Sequence, residues 1–180
     1  LRLLNGSHSS IAYLGYLAGF DKVAEAMKSP LATFIQQLMD DEITSTLPTI
    51  AGNNLTAYKT ALIQRFRNPA LKHRTWQIAM DGSQKLPQRL LGTIRDRLKQ
   101  NAPISRLGLG VAAWMRYVYG QDEKGHKIDV RDPMAPIFAE TAAKTGPNAE
   151  HLARELLALR AIFGDDLPQN KIFTRTVTQS

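Results

Sequence analysis

Two groups of polar residues interrupt otherwise apolar stretches of this sequence, and the first is Asn5-Gly6-Ser7-His8. If the segment is helical, Asn5 and His8 share a face, because residues three apart are neighbours on a helix. An amide and an imidazole on one face can bind one polar group, such as a hydroxyl or a carbonyl oxygen. The pattern alone favours a structural role instead, with Asn5 capping a helix and His8 satisfying a neighbour's hydrogen bond.

The second group is a basic cluster in the middle of the chain. It brings His73, Arg74, Lys85 and Arg89 around one predicted turn. Such a cluster can bind a carboxylate or a phosphate, because arginine offers a two-pronged match and lysine a point charge. On spacing alone, a solvated charged face is the favoured alternative, with Asp81 capping the turn that follows it.

The elements that must position these residues are predicted to be helices. Apolar residues recur at steps of three and four, and the breaks fall at proline and glycine. Helices are predicted from the amino end to near Gly19, over residues 71–80, and from Leu86 to Pro103. Only residues 127–130 alternate like a strand, and they are too short to anchor a sheet. The sequence therefore predicts a single all-α domain of about eight to ten helices.

Helix starts are predicted where a capping residue precedes an apolar periodic run. Asp21, Ser29, Ser105 and Asn148 hold such positions, and their side chains can accept hydrogen bonds from free backbone N–H groups. Residues 51–54 are predicted to form a loop. Residues 108–110 place two glycines inside a helical pattern with no strand before it, which indicates close helix packing rather than a phosphate-binding loop. The chain therefore has no predicted dinucleotide-binding fold of its own.

Composition narrows the classes of function. The 180 residues are 43% hydrophobic and 22% charged, as in soluble globular proteins, and no apolar run approaches the ~20 residues of a membrane-spanning helix. The absence of cysteine excludes disulfides, thiolate metal sites and cysteine nucleophiles, and it fits our prediction of a cytoplasmic protein without a bound metal. The net charge of +7 favours an anionic partner. A nucleic-acid-binding module is one alternative, but acidic residues interleave with the basic ones, as in Arg95-Asp96-Arg97.

At both polar groups the sequence resembles a known family. Residues 1–9 are similar to the signature of the polyol-specific long-chain dehydrogenases, which include mannitol 2-dehydrogenase and fructuronate reductase. That signature is a lysine, four residues, an asparagine, two residues and a histidine. Asn5 and His8 match it, and the lysine would directly precede Leu1. Residues 68–89, 110–117 and 165–170 resemble the fructuronate (mannonate) oxidoreductases in particular.

This resemblance implies a domain organisation and an activity. Residues 1–180 would form the C-terminal helical substrate-binding domain, like that of mannitol and 6-phosphogluconate-type dehydrogenases. The partner would be an N-terminal nucleotide-binding domain outside this chain, which would bind most of the NAD. The expected reaction moves a hydride between NAD and D-fructuronate/D-mannonate, with mannitol or a related polyol as the alternative substrate. The isolated chain is expected to be inactive.

The resemblance also implies roles for single residues. Asn5 would stabilise the developing alkoxide, and His8 would orient a hydroxyl of the sugar chain. The carboxylate of a uronate would pair with Arg74 or Lys85, whereas a neutral polyol would need less charge there. By this resemblance, Gln77 would sit where mannitol-specific relatives place a basic residue. The expected substrate-binding residues are His73, Arg74, Gln77, Lys85 and Arg89.

Overall fold

A computed structural model describes residues 1–48 and 54–180, which form twelve α-helices linked by short π-helical and 3-10 turns. In chain order the helices are α1 (Arg2–Leu17), α2 (Val23–Ala26), α3 (Leu31–Gln37), α4 (Leu55–Arg67), α5 (Thr75–Ala79), α6 (Gly82–Leu86), α7 (Gly92–Lys99), α8 (Ser105–Val118), α9 (Ala135–Thr145), α10 (Ala149–Leu157), α11 (Arg160–Phe163) and α12 (Lys171–Gln179). The described ranges contain no strand, and the predicted all-α class is confirmed. Apart from Asn54, the predicted loop 51–54 lies outside these ranges.

The helix predicted over residues 71–80 is shorter than expected. Lys72 adopts a left-handed backbone conformation (φ 48°), and the chain runs extended into α5, which covers only Thr75–Ala79. Asp81 is also left-handed (φ 54°), so the chain turns sharply before α6. Asp81 makes no side-chain cap to α6, and the capping role considered for it is wrong. These two left-handed residues isolate α5 as a single short helical turn.

The helix predicted between Leu86 and Pro103 is present but irregular. It comprises α6, a π-helical turn at Pro87–Leu91, and α7. Pro87 has no N–H with which to bond the preceding turn, so the regular hydrogen-bond ladder is interrupted there. The π-helical turn is a local widening of the helix, a feature that often occurs at functional sites.

Of the four predicted caps, two are confirmed and two are replaced by contacts with residues distant in the sequence. Asn148 accepts a hydrogen bond from the backbone of His151 (2.9 Å), and Ser29 accepts one from Leu31 (3.2 Å). Asp21 does not cap α2. The first N–H group of α2 instead donates to the carbonyl oxygen of His73 at 2.9 Å, which ties α2 to the chain entering α5.

The start of α8 is capped by a residue distant in sequence. The prediction of a Ser105 cap is wrong, because the carboxylate of Glu42 accepts the N–H groups of Arg106 and Leu107, each at 2.8 Å. Glu42 is 2% exposed and lies in a second π-helical turn, Leu38–Ile43. A carboxylate at a helix amino end is stabilised both by these hydrogen bonds and by the helix dipole.

Helices α1 and α8 pack against each other at the centre of the hydrophobic core. The predicted close packing at the glycines of α8 is confirmed. A Cβ atom on Gly108 would lie 2.6 Å from Thr176 of α12, and one on Gly110 would lie 3.0 Å from Ser10 of α1. Trp114 of α8 is fully buried against aromatic rings of α9 and α11. Because it crosses this core, α1 is held rigidly along one side.

Candidate active site

Helix α1 carries Asn5 and His8 on one face, as their spacing predicts, and both side chains are partly buried. The His8 ring lies 5.0 Å from the ring of Phe66 in α4 and 5.6 Å, edge to face, from the ring of His73. Its Nε2 atom is buried and has no hydrogen-bond partner among the described residues. Leaving a buried polar nitrogen unpaired costs about 1–3 kcal/mol, so this atom needs an explanation.

The surroundings of His8 keep its ring uncharged. Burial, followed by the nearby charges of His73, Arg89 and Arg65, lowers the pKa of His8 from 6.5 to about 4. At neutral pH the imidazole therefore has one nitrogen that donates a hydrogen bond and one that accepts. A ring in this state can bind an alcohol group, which also both donates and accepts.

Arg89 approaches α1 closely because α1 has a glycine at position 6. A Cβ atom on Gly6 would lie 3.1 Å from the carbonyl oxygen of Arg89, so only glycine permits this approach without displacement. Arg89 belongs to the π-helical turn Pro87–Leu91, and its Nη1 atom lies 3.4 Å from the hydroxyl oxygen of Ser9. Sequence reasoning gave Gly6 no role, since the partner of this contact is distant in the chain.

Arg89 is a partly buried cation without an anionic partner. Within the described part of the chain, no carboxylate lies within 4.0 Å of its guanidinium group. Burial lowers the pKa of Arg89 from its usual value, although a guanidinium group stays charged at neutral pH. A partly desolvated positive charge left in this state can bind a carboxylate in two-pronged geometry.

Lys85 belongs to the same basic cluster, but its ammonium group already has partners within the protein. Its Nζ atom donates to the carbonyl oxygen of Met80 at 2.6 Å and lies 3.8 Å from the carboxylate of Asp81. Burial and the charge of Arg89 lower the pKa of Lys85, whereas Asp81 and Asp132 raise it. The positive charge of Arg89 therefore acts on both His8 and Lys85.

Two of the expected substrate-binding residues, Arg74 and Gln77, are exposed. The guanidinium group of Arg74 pairs with Asp21 at 3.4 Å, and both side chains are about half exposed. Gln77 is exposed on α5. Arg65 of α4, which sequence reasoning missed, acts electrostatically on His8. Its approach follows from Phe66, the next residue, which packs on the His8 ring, and no signal in the sequence links α4 to α1.

Comparison with known proteins places this chain in a family. A family model described as the mannitol dehydrogenase C-terminal domain matches residues 1–180. The chain belongs to the mannitol dehydrogenase family. It is 49% identical to the D-mannonate oxidoreductase of Escherichia coli K12, over 99% of this chain and 36% of that protein. It is 40% identical to the mannitol 2-dehydrogenase of Pyricularia oryzae, over 100% of this chain and 35% of that protein.

A solved member of the mannitol dehydrogenase family has the same fold. The structure of Pseudomonas fluorescens mannitol 2-dehydrogenase, a ternary complex with NAD and D-mannitol, matches with a TM-score of 0.90 and 32% sequence identity. The match covers 98% of this chain and 35% of that one. The chain thus spans little more than a third of the length of these relatives, and it corresponds to their C-terminal domain.

The described residues offer two further negative findings. Within residues 1–48 and 54–180, no three His, Asp or Glu side chains come together as a group that could hold a metal ion. No helix within these same ranges combines the length and apolar character that crossing a bilayer requires.

Proposed function

We propose that this chain is the substrate-binding domain of an NAD-dependent oxidoreductase whose substrate is a sugar acid of the D-mannonate/D-fructuronate type. It works with an N-terminal nucleotide-binding domain that binds most of the NAD, and we place the enzyme in the cytoplasm. When bound, NAD supplies the hydride acceptor or donor. The single observation that carries the proposal is the partly buried Arg89, which has no anionic partner among the described residues, contacts Ser9 of α1 and acts electrostatically on the neutral ring of His8.

The charge of Arg89 supports an acidic substrate. A neutral polyol would leave this guanidinium partly desolvated without a counter-ion, whereas a uronate or aldonate brings a carboxylate that matches its planar donors. Lys85, on which the charge of Arg89 acts, adds a second positive charge, and its ammonium is already held by Met80 and Asp81. Arg74 has its own partner in Asp21, so Arg89 is the better carboxylate ligand of the two.

The neutral imidazole of His8 supports a role in orienting the sugar chain. Its Nε2 atom has no hydrogen-bond partner among the described residues, and we assign it to a hydroxyl of the substrate. The ring of His73 lies 5.6 Å from the His8 ring, edge to face. Fixing one hydroxyl while Arg89 holds the carboxylate would define both the position and the direction of an open-chain sugar acid.

We assign Asn5 the role of binding the substrate oxygen on the reacting carbon. It precedes His8 by three residues on the same face of α1, so its amide can donate to the oxygen on which negative charge develops as the hydride leaves. We assign the transfer of the proton on this oxygen to the lysine of the family signature, which would directly precede Leu1. The rigid packing of α1 on α8 keeps Asn5 and His8 in fixed relation.

A substrate panel tests the proposal. The full open reading frame that encodes this chain is expressed and assayed with NAD and D-mannonate, D-mannitol or D-arabinitol. We expect kcat/KM for D-mannonate to exceed that for the polyols by ~10-fold or more, the equivalent of about 1.4 kcal/mol. If mannitol or arabinitol is the better substrate, the sugar-acid assignment is wrong.

The role of Asn5 has its own test in the same enzyme. Asn5→Ala is expected to lower kcat by about 100-fold, the usual cost of removing a donor to a developing oxyanion, while NAD affinity changes little. Asn148→Ala is the matched control, because it removes a helix cap from α10 and leaves α1 intact. Near-normal turnover of Asn5→Ala would exclude the role assigned here.

The alternative of a nucleic-acid-binding module is less well supported. Several arginines outside the site are already paired with carboxylates, as in Arg95 with Asp166 and Arg154 with Glu150. Salt-sensitive binding of the domain to single-stranded or duplex DNA would favour that alternative, and we expect none at physiological salt.

A further inference from the structure

A segment that precedes α9 holds the turn between α5 and α6 in place. The carboxylate of Asp132 accepts the backbone N–H of Ser83 at 2.8 Å, the hydroxyl of Ser83 at 2.6 Å and the backbone N–H of Met134 at 2.9 Å. The adjacent carbonyl oxygen of Arg131 accepts the N–H of Asp81, also at 2.9 Å. Three of these four hydrogen bonds thus join the segment to Asp81 and Ser83 at the start of α6. The fourth, from Met134, lies within the segment itself.

The opposite side of this turn is wedged against the core. A Cβ atom on Gly82 would lie 2.5 Å from Nε1 of Trp114 and 2.6 Å from the hydroxyl oxygen of Tyr13, both of which are buried. The start of α6 is therefore held between the core and Asp132. Because Asp132 supplies the cap that Asp81 does not, the capping of α6 depends on a residue from another part of the chain.

The group that this arrangement fixes is Lys85. Its backbone follows Ser83 by two residues in α6, and its ammonium bonds to the carbonyl oxygen of Met80, just before the turn. The same turn therefore determines both where the Lys85 side chain starts and what its head group contacts. The negative charge of Asp132 also acts on Lys85, opposing the effect of burial on its pKa.

We infer that Asp132 is a positioning residue, which caps α6 through Ser83 and so holds Lys85 where the substrate binds. The inference rests on the proposed function, which places Lys85 beside the sugar acid. Asp132 is partly buried behind α6, and in this role it acts through Lys85 rather than by touching the substrate.

A double-mutant cycle in the full-length enzyme tests this inference. Asp132→Asn keeps the size of the side chain but replaces one carboxylate oxygen, which accepts hydrogen bonds, with an amide NH2 group, which donates them. This group would face the donor groups of Ser83 and Met134. We expect Asp132→Asn to raise KM for D-mannonate by about 5-fold with kcat changed less than about 2-fold, the size of coupling seen between residues in contact. In the Lys85→Ala background the same change is expected to alter KM by less than about 2-fold.

Two further variants keep the test decisive. Asp129→Asn is the matched control, because Asp129 lies in the same segment but only pairs with exposed Arg131, at 2.7 Å, and KM is expected to stay unchanged. Ser83→Ala removes one of the Asp132 hydrogen bonds from the other side, and it replaces Asp132→Asn in the cycle if that variant does not fold. A purely structural role would lower stability without this dependence on Lys85.

The outcomes separate the inference from the function on which it rests. If Asp132→Asn raises KM by the same factor with and without Lys85, Asp132 does not act through Lys85 and the inference is wrong, while the sugar-acid function stands. If Lys85→Ala alone leaves KM unchanged, the inference fails together with the place given to Lys85. The sugar-acid assignment itself fails only in the substrate panel.

Discussion

Two π-helical turns each carry a charged side chain away from bulk water, and the fold satisfies only one of the two charges. Glu42, in Leu38–Ile43, is almost fully buried, and its carboxylate accepts two backbone N–H groups at the start of α8. Arg89, in Pro87–Leu91, is partly buried, and among the described residues its side chain donates only to the hydroxyl of Ser9, at 3.4 Å.

This difference distinguishes a structural charge from one available to a ligand. Burying a charge is costly unless partners inside the protein compensate for it. Glu42 has those partners, and removing it would leave the N–H groups of α8 unpaired. Arg89 lacks an anionic partner in the described ranges, so its desolvation stays uncompensated until an anion binds. Stability should therefore depend on Glu42, and substrate affinity on Arg89.

The largest effect is expected on stability, from Glu42→Ala. Two backbone N–H groups lose their acceptor, at about 1–3 kcal/mol each where they are buried, so the free energy of unfolding should fall by roughly 2–6 kcal/mol in denaturant titrations. Asp41→Ala is the control, because Asp41 forms only an exposed pair with Arg106 and should cost less than about 1 kcal/mol. Equal losses for the two variants would contradict the structural role of Glu42.

The next effect is on catalysis, from Arg89→Met. We expect kcat/KM for D-mannonate to fall about 10- to 100-fold, because a charged hydrogen bond to substrate contributes roughly 1.5–3 kcal/mol. The free energy of unfolding should stay the same or rise, since the variant removes an uncompensated charge. Arg160→Met, which removes an exposed arginine already paired with Asp165, should leave kcat/KM unchanged. If Arg89→Met lowers the free energy of unfolding and leaves kcat/KM unchanged, Arg89 is a structural charge and the difference proposed between Arg89 and Glu42 is wrong.

A smaller effect is expected in the pH dependence of stability, from His8. Its pKa is about 4 in the folded protein and near 6.5 when unfolded, so the unfolded state binds the proton more readily. His8 therefore lowers stability progressively as the pH falls from about 6.5 to about 4, and has no such effect above that range.

His8→Gln should remove this part of the pH dependence. The free energies of unfolding of the wild-type protein and the variant are compared at pH 7.5 and pH 5. The comparison above pH 7 is the internal control, because His8 stays uncharged there and glutamine does not titrate. We expect the wild-type protein to lose more stability than the variant between these two values. Parallel curves would show that His8 is not held neutral by its surroundings.

The sequence predicted the features that depend on local patterns. The spacing of apolar residues predicts the all-α class, and the spacing of Asn5 and His8 places them on one face of α1. The cap at Asn148 is also local and is confirmed. Helix α12 was not predicted, although Asn170 caps it and its apolar residues recur at four-residue spacing, so the signal was present.

What depends on contacts between distant residues could not be predicted. Nothing near Glu42 in the sequence indicates that it caps α8, more than sixty residues away. The close approach of Gly6 to Arg89 likewise needs the folded chain, as does the ion pair that holds Arg74 on Asp21. The sequence thus identifies the basic cluster, and only the folded structure separates its paired members from Arg89.

A crystal structure of the full-length enzyme with NAD and D-mannonate would test the central claim most directly. We predict that the substrate carboxylate lies about 3 Å from the guanidinium nitrogens of Arg89, and that a ring nitrogen of His8 lies about 3 Å from a substrate hydroxyl. A carboxylate bound to Arg74 instead, with Arg89 and His8 touching no part of the substrate, would contradict the account.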